Sequence, residues 1–133
     1  MPGLVIDASV AVKWFLTEDR SEDARKLSGE AGLIAPTIIL LEVYNALSIA
    51  VRRQRAVPET LEVAQSALIA TGWELVDIEP YFERAAKLSR SLGHVVFDCV
   101  YLALAEDRGV PLLTADDRLF ALARRARIRA RLL

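Results

Sequence analysis

Two acidic residues interrupt long apolar runs, where a lone charge is unfavourable. Glu42 lies inside the run over residues 38–44, and Asp98 lies inside the run over residues 95–101. Moving an ionised carboxylate out of water costs several kcal/mol unless it is paired or bound to a metal. The sequence therefore predicts that each of these carboxylates faces a polar cleft or is neutralised by a partner.

Two further acids follow predicted strands. Asp7 comes directly after the apolar run 4–6, and Asp116 comes shortly after the run 111–114. In parallel α/β sheets the ligand site lies at the carboxyl ends of the strands. We therefore expect four acids to share one pocket: Asp7, Glu42, Asp98 and Asp116. Such a cluster repels itself, and a hard divalent cation with oxygen ligands, Mg²⁺ or Mn²⁺, is the usual remedy.

Each acid also has a simpler interpretation. Asp7 can hydrogen-bond the turn before the first helix, and Asp116 can cap the helix that follows it. Glu42 and Asp98 can pair with arginines of neighbouring helices. The metal-site hypothesis is favoured because the alternative needs a separate explanation for acids that the α/β topology brings together.

Other polar residues accompany the acids. Ser9 and Thr114 are short hydroxyls that either assist a ligand or cap a helix. Asn45, three residues after the acid at position 42, either orients that carboxylate or is a surface amide. His94 is the only histidine, so chemistry with two histidines as acid and base is unsupported, and we interpret it as structural. Cys99 is interpreted as a small buried hydrophobe.

Short apolar runs alternate with helical patterns, which predicts an α/β fold with parallel strands and helices on both faces. Strands are predicted at residues 4–6, 33–35, 73–78, 111–114 and 127–132, the last as a half-exposed edge strand. Helices are predicted over residues 9–16, 20–29 and 38–53, from Pro58 to Gly72, from Pro80 to Gly93, over residues 95–107, and from Asp116 or Asp117 to about Arg124.

Some of these helices carry finer expectations. Ser9 is predicted to be the N-cap of the first helix and Thr37 that of the third. The third helix is predicted to be buried, with a cationic end. The fourth helix is expected to turn four residues inward: Leu61, Ala64, Leu68 and Ile69.

The composition fits one compact domain over residues 1–133. Lys+Arg 17 against Asp+Glu 18 gives a net charge of −1, which argues against a globally basic surface for nucleic acid. One cysteine and one histidine exclude an intramolecular disulfide and a structural zinc cluster. The longest uncharged runs fall well short of the roughly 20 residues that span a bilayer, and no signal peptide is recognised, so we expect no membrane and a cytoplasmic location.

Four segments of the chain resemble the motifs of one family. They are LVIDASVAVKW at 4–14, AP at 35–36 with LEVYNAL at 41–47, FDCVYLALA at 97–105, and LTADDRL at 113–119. In this order they resemble the PIN-domain family, and within it the VapC-like toxins of toxin–antitoxin pairs. Phe97 stands where the family often has tyrosine, and Tyr44 stands where a small residue is frequent; neither departure touches the acids.

The resemblance implies a three-layer α/β/α PIN-like fold with a central, mostly parallel sheet, and a divalent-metal-dependent endoribonuclease. It implies that the four acids hold Mg²⁺ or Mn²⁺ and that Ser9, Asn45 and Thr114 assist. Cleavage would leave a 5′-phosphate and a 3′-hydroxyl. The family also implies an RNA substrate, a homodimer, and a VapB-like antitoxin that blocks the cleft.

Basic residues near the acidic edge are the candidates to contact RNA, with solvated surface as the alternative: Lys13, Arg52, Arg53 and Arg118. The arginines of the C-terminal strand are interpreted mainly as charges that protect an edge strand.

Two other functions compete with this prediction. A receiver domain or an aspartyl phosphatase is disfavoured, because the former would want adjacent acids after the first strand. The latter would want an Asp two residues after the first, where this chain has Ser9. A catalytically silent PIN-like module that binds RNA or protein stays open as the alternative function.

Overall fold

Five short strands form one sheet at the centre of the protein, in a computed structural model that describes residues 3–133. Their spatial order is β3-β2-β1-β4-β5, and every neighbouring pair is parallel. The three central strands are almost entirely buried and apolar, as expected of a parallel sheet covered on both faces. The strands are β1 (Leu4–Ile6), β2 (Leu33–Pro36), β3 (Glu74–Val76), β4 (Leu112–Thr114) and β5 (Ala130–Leu132).

Seven α-helices connect the strands. From β1 the chain moves to β2 and β3 on one side, then crosses to β4 and β5 on the other. Because parallel crossovers are right-handed, helices α1–α4 lie on one face and α5–α7 on the opposite face. The helices are α1 (Ala8–Ala11), α2 (Ser21–Arg25), α3 (Ile38–Arg52), α4 (Glu59–Ala70), α5 (Phe82–Leu92), α6 (Val96–Arg108) and α7 (Asp117–Arg125), with 3-10 turns at Val12–Trp14 and Glu79–Tyr81.

Helix α6 is the most buried helix of the structure. It packs across β1, β2 and β4, and residues 99–105 are all buried. A helix that is apolar on every side is buried on every side. Cys99 lies within this segment as a buried free thiol, so its interpretation as a core residue is confirmed.

The strand order reverses between β1 and β4, and this position determines where a ligand can bind. At such a switch point the crossovers leave on opposite faces, which opens a crevice outside the carboxyl ends of the two strands. Asp7 follows β1 and Thr114 ends β4. The predicted acidic edge therefore lies at the topological switch point of the sheet.

Several predicted element boundaries were wrong. The first helix is a short α-helix followed by a 3-10 turn, and its N-cap position belongs to Asp7, not to Ser9. Ser9 does not cap because its hydroxyl bonds across to the loop after β4 instead. Thr37 does occupy the N-cap of α3, but its side chain makes no capping hydrogen bond. The second helix covers five residues, and the third strand is likewise shorter than predicted.

The surfaces of α3 and α4 are more apolar than predicted. Leu41 of α3 is 71% exposed and Ile69 of α4 is 70% exposed, so α3 is buried along one face only and the prediction of an inward Ile69 was wrong. The main neighbour of α4 is α3, which leaves room for only a narrow buried stripe on α4, formed by Ala64 and Leu68.

Within residues 3–133, no helix alone has both the length and the hydropathy of a membrane span; only the pair Glu79–Leu92 and Val96–Arg108, bent by 118°, meets these criteria jointly.

Candidate active site

Asp7 is a buried carboxylate held by two hydroxyl groups. Ser9 Oγ donates to its Oδ1 at 2.6 Å, and Thr114 Oγ1 donates to its Oδ2 at 2.7 Å. The side chain is almost closed off from solvent, at 6% exposure. Burial raises the pKa of Asp7 from 3.8 to about 6 and the charge of Asp98 adds to the rise, against the opposing effect of the two hydroxyls.

The same two hydroxyls tie β1 to the loop after β4. Ser9 Oγ accepts from the Ala115 backbone N–H at 2.9 Å, and Thr114 Oγ1 accepts from the Asp116 N–H at 3.0 Å. Both hydroxyls therefore donate to one acid and accept from the backbone. This network joins residues more than a hundred positions apart and fixes the orientation of the Asp7 carboxylate.

Glu42 reaches the site from α3, on one side of the sheet. Its Oε1 accepts a hydrogen bond of 2.6 Å from the hydroxyl of Tyr101, which belongs to α6 on the other side. Burial raises the pKa of Glu42, and the charges of Asp98 and Asp7 raise it further, while the hydrogen bond from Tyr101 lowers it. Glu42 therefore lies within electrostatic reach of both Asp7 and Asp98.

Asp98 enters from the first turn of α6. Its Oδ2 lies 2.6 Å from Nε2 of His94, one helical turn earlier. The His94 side chain is 11% exposed and that of Asp98 is 28% exposed, so the acid lies at the rim of the cluster. In residues 3–133 no lysine or arginine forms an ion pair with Asp7, Glu42 or Asp98, which rules out the alternative that arginines neutralise these acids.

Asp116 behaves as a helix cap. Its Oδ1 accepts from the backbone N–H groups of Arg118 at 2.8 Å and Leu119 at 3.4 Å, at the start of α7. The capping interpretation thus describes what this side chain does here, and its part in a metal site stays a prediction.

Comparisons with known proteins agree with this geometry. A sequence profile of the PIN domain matches residues 4–125. The chain belongs to the PIN-domain family. Ribonuclease VapC12 of Mycobacterium tuberculosis is 37% identical over 117 residues, which cover 87% of this PIN domain and 88% of that relative.

Solved structures share the fold of this PIN domain. A protein of Pyrobaculum aerophilum superimposes with a TM-score of 0.74 at 18% identity, covering 91% of this chain and 79% of that one. A toxin–antitoxin complex from Klebsiella pneumoniae gives a TM-score of 0.63 at 18% identity, with 90% and 91% covered. The three-layer α/β/α arrangement predicted from the sequence is confirmed.

The donor chemistry of the PIN site suits a hard divalent cation. Within residues 3–133, no three His, Cys, Asp or Glu side chains stand in an arrangement ready to hold a metal ion. The acids nevertheless offer oxygen ligands, and no lysine or arginine of residues 3–133 pairs with Asp7, Glu42 or Asp98. In the part of the chain that the structure describes, Glu42 Oε2 and Asp98 Oδ1 also accept no hydrogen bond. Carboxylate oxygens without a hydrogen-bond donor are the kind of ligand that Mg²⁺ and Mn²⁺ prefer.

The predicted assisting and RNA-contacting residues are placed differently. Asn45 is exposed and makes no hydrogen bond to Glu42 in the described chain. Lys13 is engaged in its own loop, where Nζ donates to the Asp19 carbonyl at 2.6 Å and lies 3.4 Å from Glu18. The three predicted arginines remain exposed, and one of them donates to Ser48: Arg52, Arg53 and Arg118.

Two residues of the PIN site were missed or undervalued by sequence reasoning. Tyr101 was not singled out, and His94 was interpreted as structural, yet each hydrogen-bonds a site carboxylate. Their spacing from Asp98, four residues before and three after, was a usable signal. Side chains three and four residues apart share one helix face.

Proposed function

We propose that this PIN domain is a divalent-metal-dependent endoribonuclease and the toxin of a VapBC-like pair. The observation that carries the proposal is the group formed by Asp7, Glu42 and Asp98 at the switch point of the sheet, where no lysine or arginine of residues 3–133 neutralises them. The similarity to Ribonuclease VapC12 supports RNA as the substrate class. We take residues 1–133 as one domain in the cytoplasm.

The four acids would bind the cation, and two hydroxyls would orient one of the acids. Asp7, Glu42 and Asp98 would hold Mg²⁺ or Mn²⁺, with Asp116 acting from the rim of the site. When bound, such a cation activates a water and offsets charge on the phosphodiester. Ser9 and Thr114 keep both Asp7 oxygens oriented, so the carboxylate needs little reorganisation when the substrate arrives. Hydrolysis would leave a 5′-phosphate and a 3′-hydroxyl.

The exposed arginines supply the positive charge for RNA. Arg118 lies in the first turn of α7, two residues after Asp116, and Arg52 and Arg53 lie at the end of α3. Phosphate contacts of this kind position a nucleic acid without reading its sequence. Lys13 is a weaker candidate, because its ammonium group already binds Asp19 and Glu18.

Protein partners are also part of the proposal. The apolar side chains Leu41, Tyr44 and Ile69 are exposed on the surface between α3 and α4. Contiguous apolar surface on a small protein indicates a protein contact. It supports the predicted homodimer and VapB-like antitoxin. Light scattering of the purified chain, with and without a Leu41→Glu substitution, tests whether the surface joins two copies.

Metal-dependent RNA cleavage tests the enzymatic function. Purified protein is incubated with single-stranded and folded RNAs, with and without Mg²⁺ or Mn²⁺, alongside Asp98→Asn. The matched control is Asp107→Asn, the same chemical change on the exposed end of the same helix. We expect cleavage that requires the cation, is lost in Asp98→Asn and persists in Asp107→Asn. Absence of both cleavage and metal binding in antitoxin-free protein would favour the silent RNA- or protein-binding module.

A further inference from the structure

Three side chains at the start of α6 contact or contribute to the acidic site. Asp98 in the first turn and Tyr101 in the next are three residues apart and share one face of the helix, and His94, which precedes the helix, reaches Asp98 from its N-terminal side. His94 Nε2 lies 2.6 Å from Asp98 Oδ2, and the Tyr101 hydroxyl lies 2.6 Å from Glu42 Oε1. One helix thus supplies an acid and contacts a second acid from another helix.

Both contacts are built to hold their carboxylates in place. A carboxylate that binds a cation must be ionised and then only accepts hydrogen bonds, so in that state the Tyr101 hydroxyl and the Nε2–H tautomer of His94 are the donors. Hydrogen bonds to a charged group are the stronger kind. Tyr101 is 1% exposed, so its ring is locked by packing. The backbone of His94 is itself anchored, since Ser89 Oγ donates to its carbonyl at 2.5 Å and its N–H donates to the Ser89 carbonyl at 3.2 Å.

Each contact occupies only one oxygen of its acid. Glu42 is held through Oε1 and Asp98 through Oδ2, and the second oxygen of each accepts no hydrogen bond within residues 3–133. Asp7 differs, because hydroxyls hold both of its oxygens. A carboxylate fixed by one oxygen has a defined orientation and still has an oxygen to offer.

We propose that His94 and Tyr101 are positioning residues that fix Asp98 and Glu42 so that the second oxygen of each is presented to the divalent cation. This inference rests on the proposed function. Neither residue touches the reacting atoms, and each acts only through its acid. Outer-shell partners of metal ligands typically contribute roughly 10–100-fold to metal affinity or activity. Losing either donor should therefore weaken cation binding by this factor.

The test compares variants that remove a donor with variants that keep one. His94→Ala and Tyr101→Phe remove the hydrogen bonds. His94→Gln keeps a donor, because the glutamine amide nitrogen is separated from Cα by the same number of bonds as Nε2 of histidine. Tyr81→Phe is a control that removes a different tyrosine hydroxyl, one bonded to Asp107 at the far end of α6. The dissociation constant for Mn²⁺ is measured by calorimetry or electron paramagnetic resonance. RNA cleavage is then recorded as a function of Mn²⁺ concentration.

We expect His94→Ala and Tyr101→Phe to weaken Mn²⁺ binding by roughly 10–100-fold. The Mn²⁺ concentration for half-maximal cleavage should rise by the same factor, with kcat largely recovered at saturating Mn²⁺. His94→Gln should recover most of the affinity, and Tyr81→Phe should match the wild type. A merely structural role would lower the melting temperature without moving the Mn²⁺ dissociation constant.

The outcomes separate this inference from the function on which it rests. If the wild type binds Mn²⁺ and cleaves RNA while His94→Ala and Tyr101→Phe bind Mn²⁺ equally well, the positioning role is wrong and the nuclease stands. If His94→Gln is as weak as His94→Ala, the donor role of His94 is wrong. If the wild type itself neither binds Mn²⁺ nor cleaves RNA, both the nuclease and the positioning role are overturned.

Discussion

Helix α6 carries acidic residues at both ends, and the two ends hold them in different ways. Near its start, the side chains that hydrogen-bond Asp98 and the neighbouring Asp7 and Glu42 are hydroxyls and one imidazole. Near its end, Glu106 receives two hydrogen bonds from the guanidinium of Arg84, at 2.8 and 3.0 Å. Within residues 3–133, arginine thus pairs with Glu106 near the end of α6, and no lysine or arginine pairs with the three acids near its start.

The pKa values follow this division. Burial raises the pKa of Asp7 and of Glu42, with Asp98 adding to both. The hydrogen bond from Arg84 lowers the pKa of Glu106, and that from Arg108 lowers the pKa of Glu74. The pKa values of acidic residues are thus raised at the start of α6 and lowered at its end. Negative charge is neutralised internally at one end, and at the other it remains available for a cation from solution.

The largest expected effect comes from Asp7→Asn, which removes one negative charge from the acidic cluster at the start of α6. Cleavage should fall on the order of 10³-fold, because charge at the reaction centre is the main source of stabilisation there. The fold should tolerate the change, since the hydroxyls of Ser9 and Thr114 can accept from an amide as well as donate to it. Initial rates of RNA cleavage at saturating metal measure the loss, with Asp107→Asn as the control.

In the metal-free protein, Asp7→Asn should be more stable than the wild type, and the difference should grow as pH rises. Between pH 3.8 and about 6 the folded chain keeps a proton on Asp7 that the unfolded chain has released, so its free energy of unfolding falls through this window. The asparagine variant lacks this term. Its advantage over the wild type should grow by up to roughly 3 kcal/mol across the window. Urea unfolding at several pH values measures it, and an advantage that shrinks with pH would contradict the raised pKa.

Mg²⁺ or Mn²⁺ should stabilise the wild type by a comparable amount. A ligand that binds only the folded state adds about 3 kcal/mol at about 100 times its dissociation constant, roughly 10 °C in melting temperature for a chain of this size. Thermal unfolding with the cation, against NaCl of equal ionic strength, measures the shift. Asp98→Asn should lose most of it and Asp107→Asn should keep it. Equal shifts in both variants would place the cation away from the cluster.

Much of the fold could be predicted because local patterns determine it. The apolar runs of β1, β2 and β4 stand out against their polar flanks, and Gly93 and Gly109 end α5 and α6 at positive φ as predicted helix stops do. The acids Glu42 and Asp98 were noticeable for the same reason, as charges inside apolar runs. Local rules failed where a long-range contact decided the outcome.

Ser9 and Ile69 show how the failures arose. Ser9 looks like a helix cap, but its hydroxyl bonds Asp7 and the Ala115 N–H, a partner 106 residues away. Ile69 continues the apolar pattern of α4, but α4 packs mainly against α3 and leaves Ile69 70% exposed beside it. Tyr101 was missed because its partner Glu42 lies 59 residues earlier. Such contacts become visible only when the strands are in place.

The smallest expected effect concerns the neutralised end of α6. Arg84 and Glu106 are 48% and 39% exposed in their side chains, and exposed pairs of this kind contribute about 0–1 kcal/mol. A double-mutant cycle of Arg84→Ala and Glu106→Gln should give a coupling energy in that range, decreasing with added salt. The Mn²⁺ affinity of both variants should equal that of the wild type, because charges paired at one end of α6 do not reach the cluster at the other. A changed Mn²⁺ affinity in either variant would mean that charges at the end of α6 act on the acids at its start. The difference between the two ends would then not be local to each end.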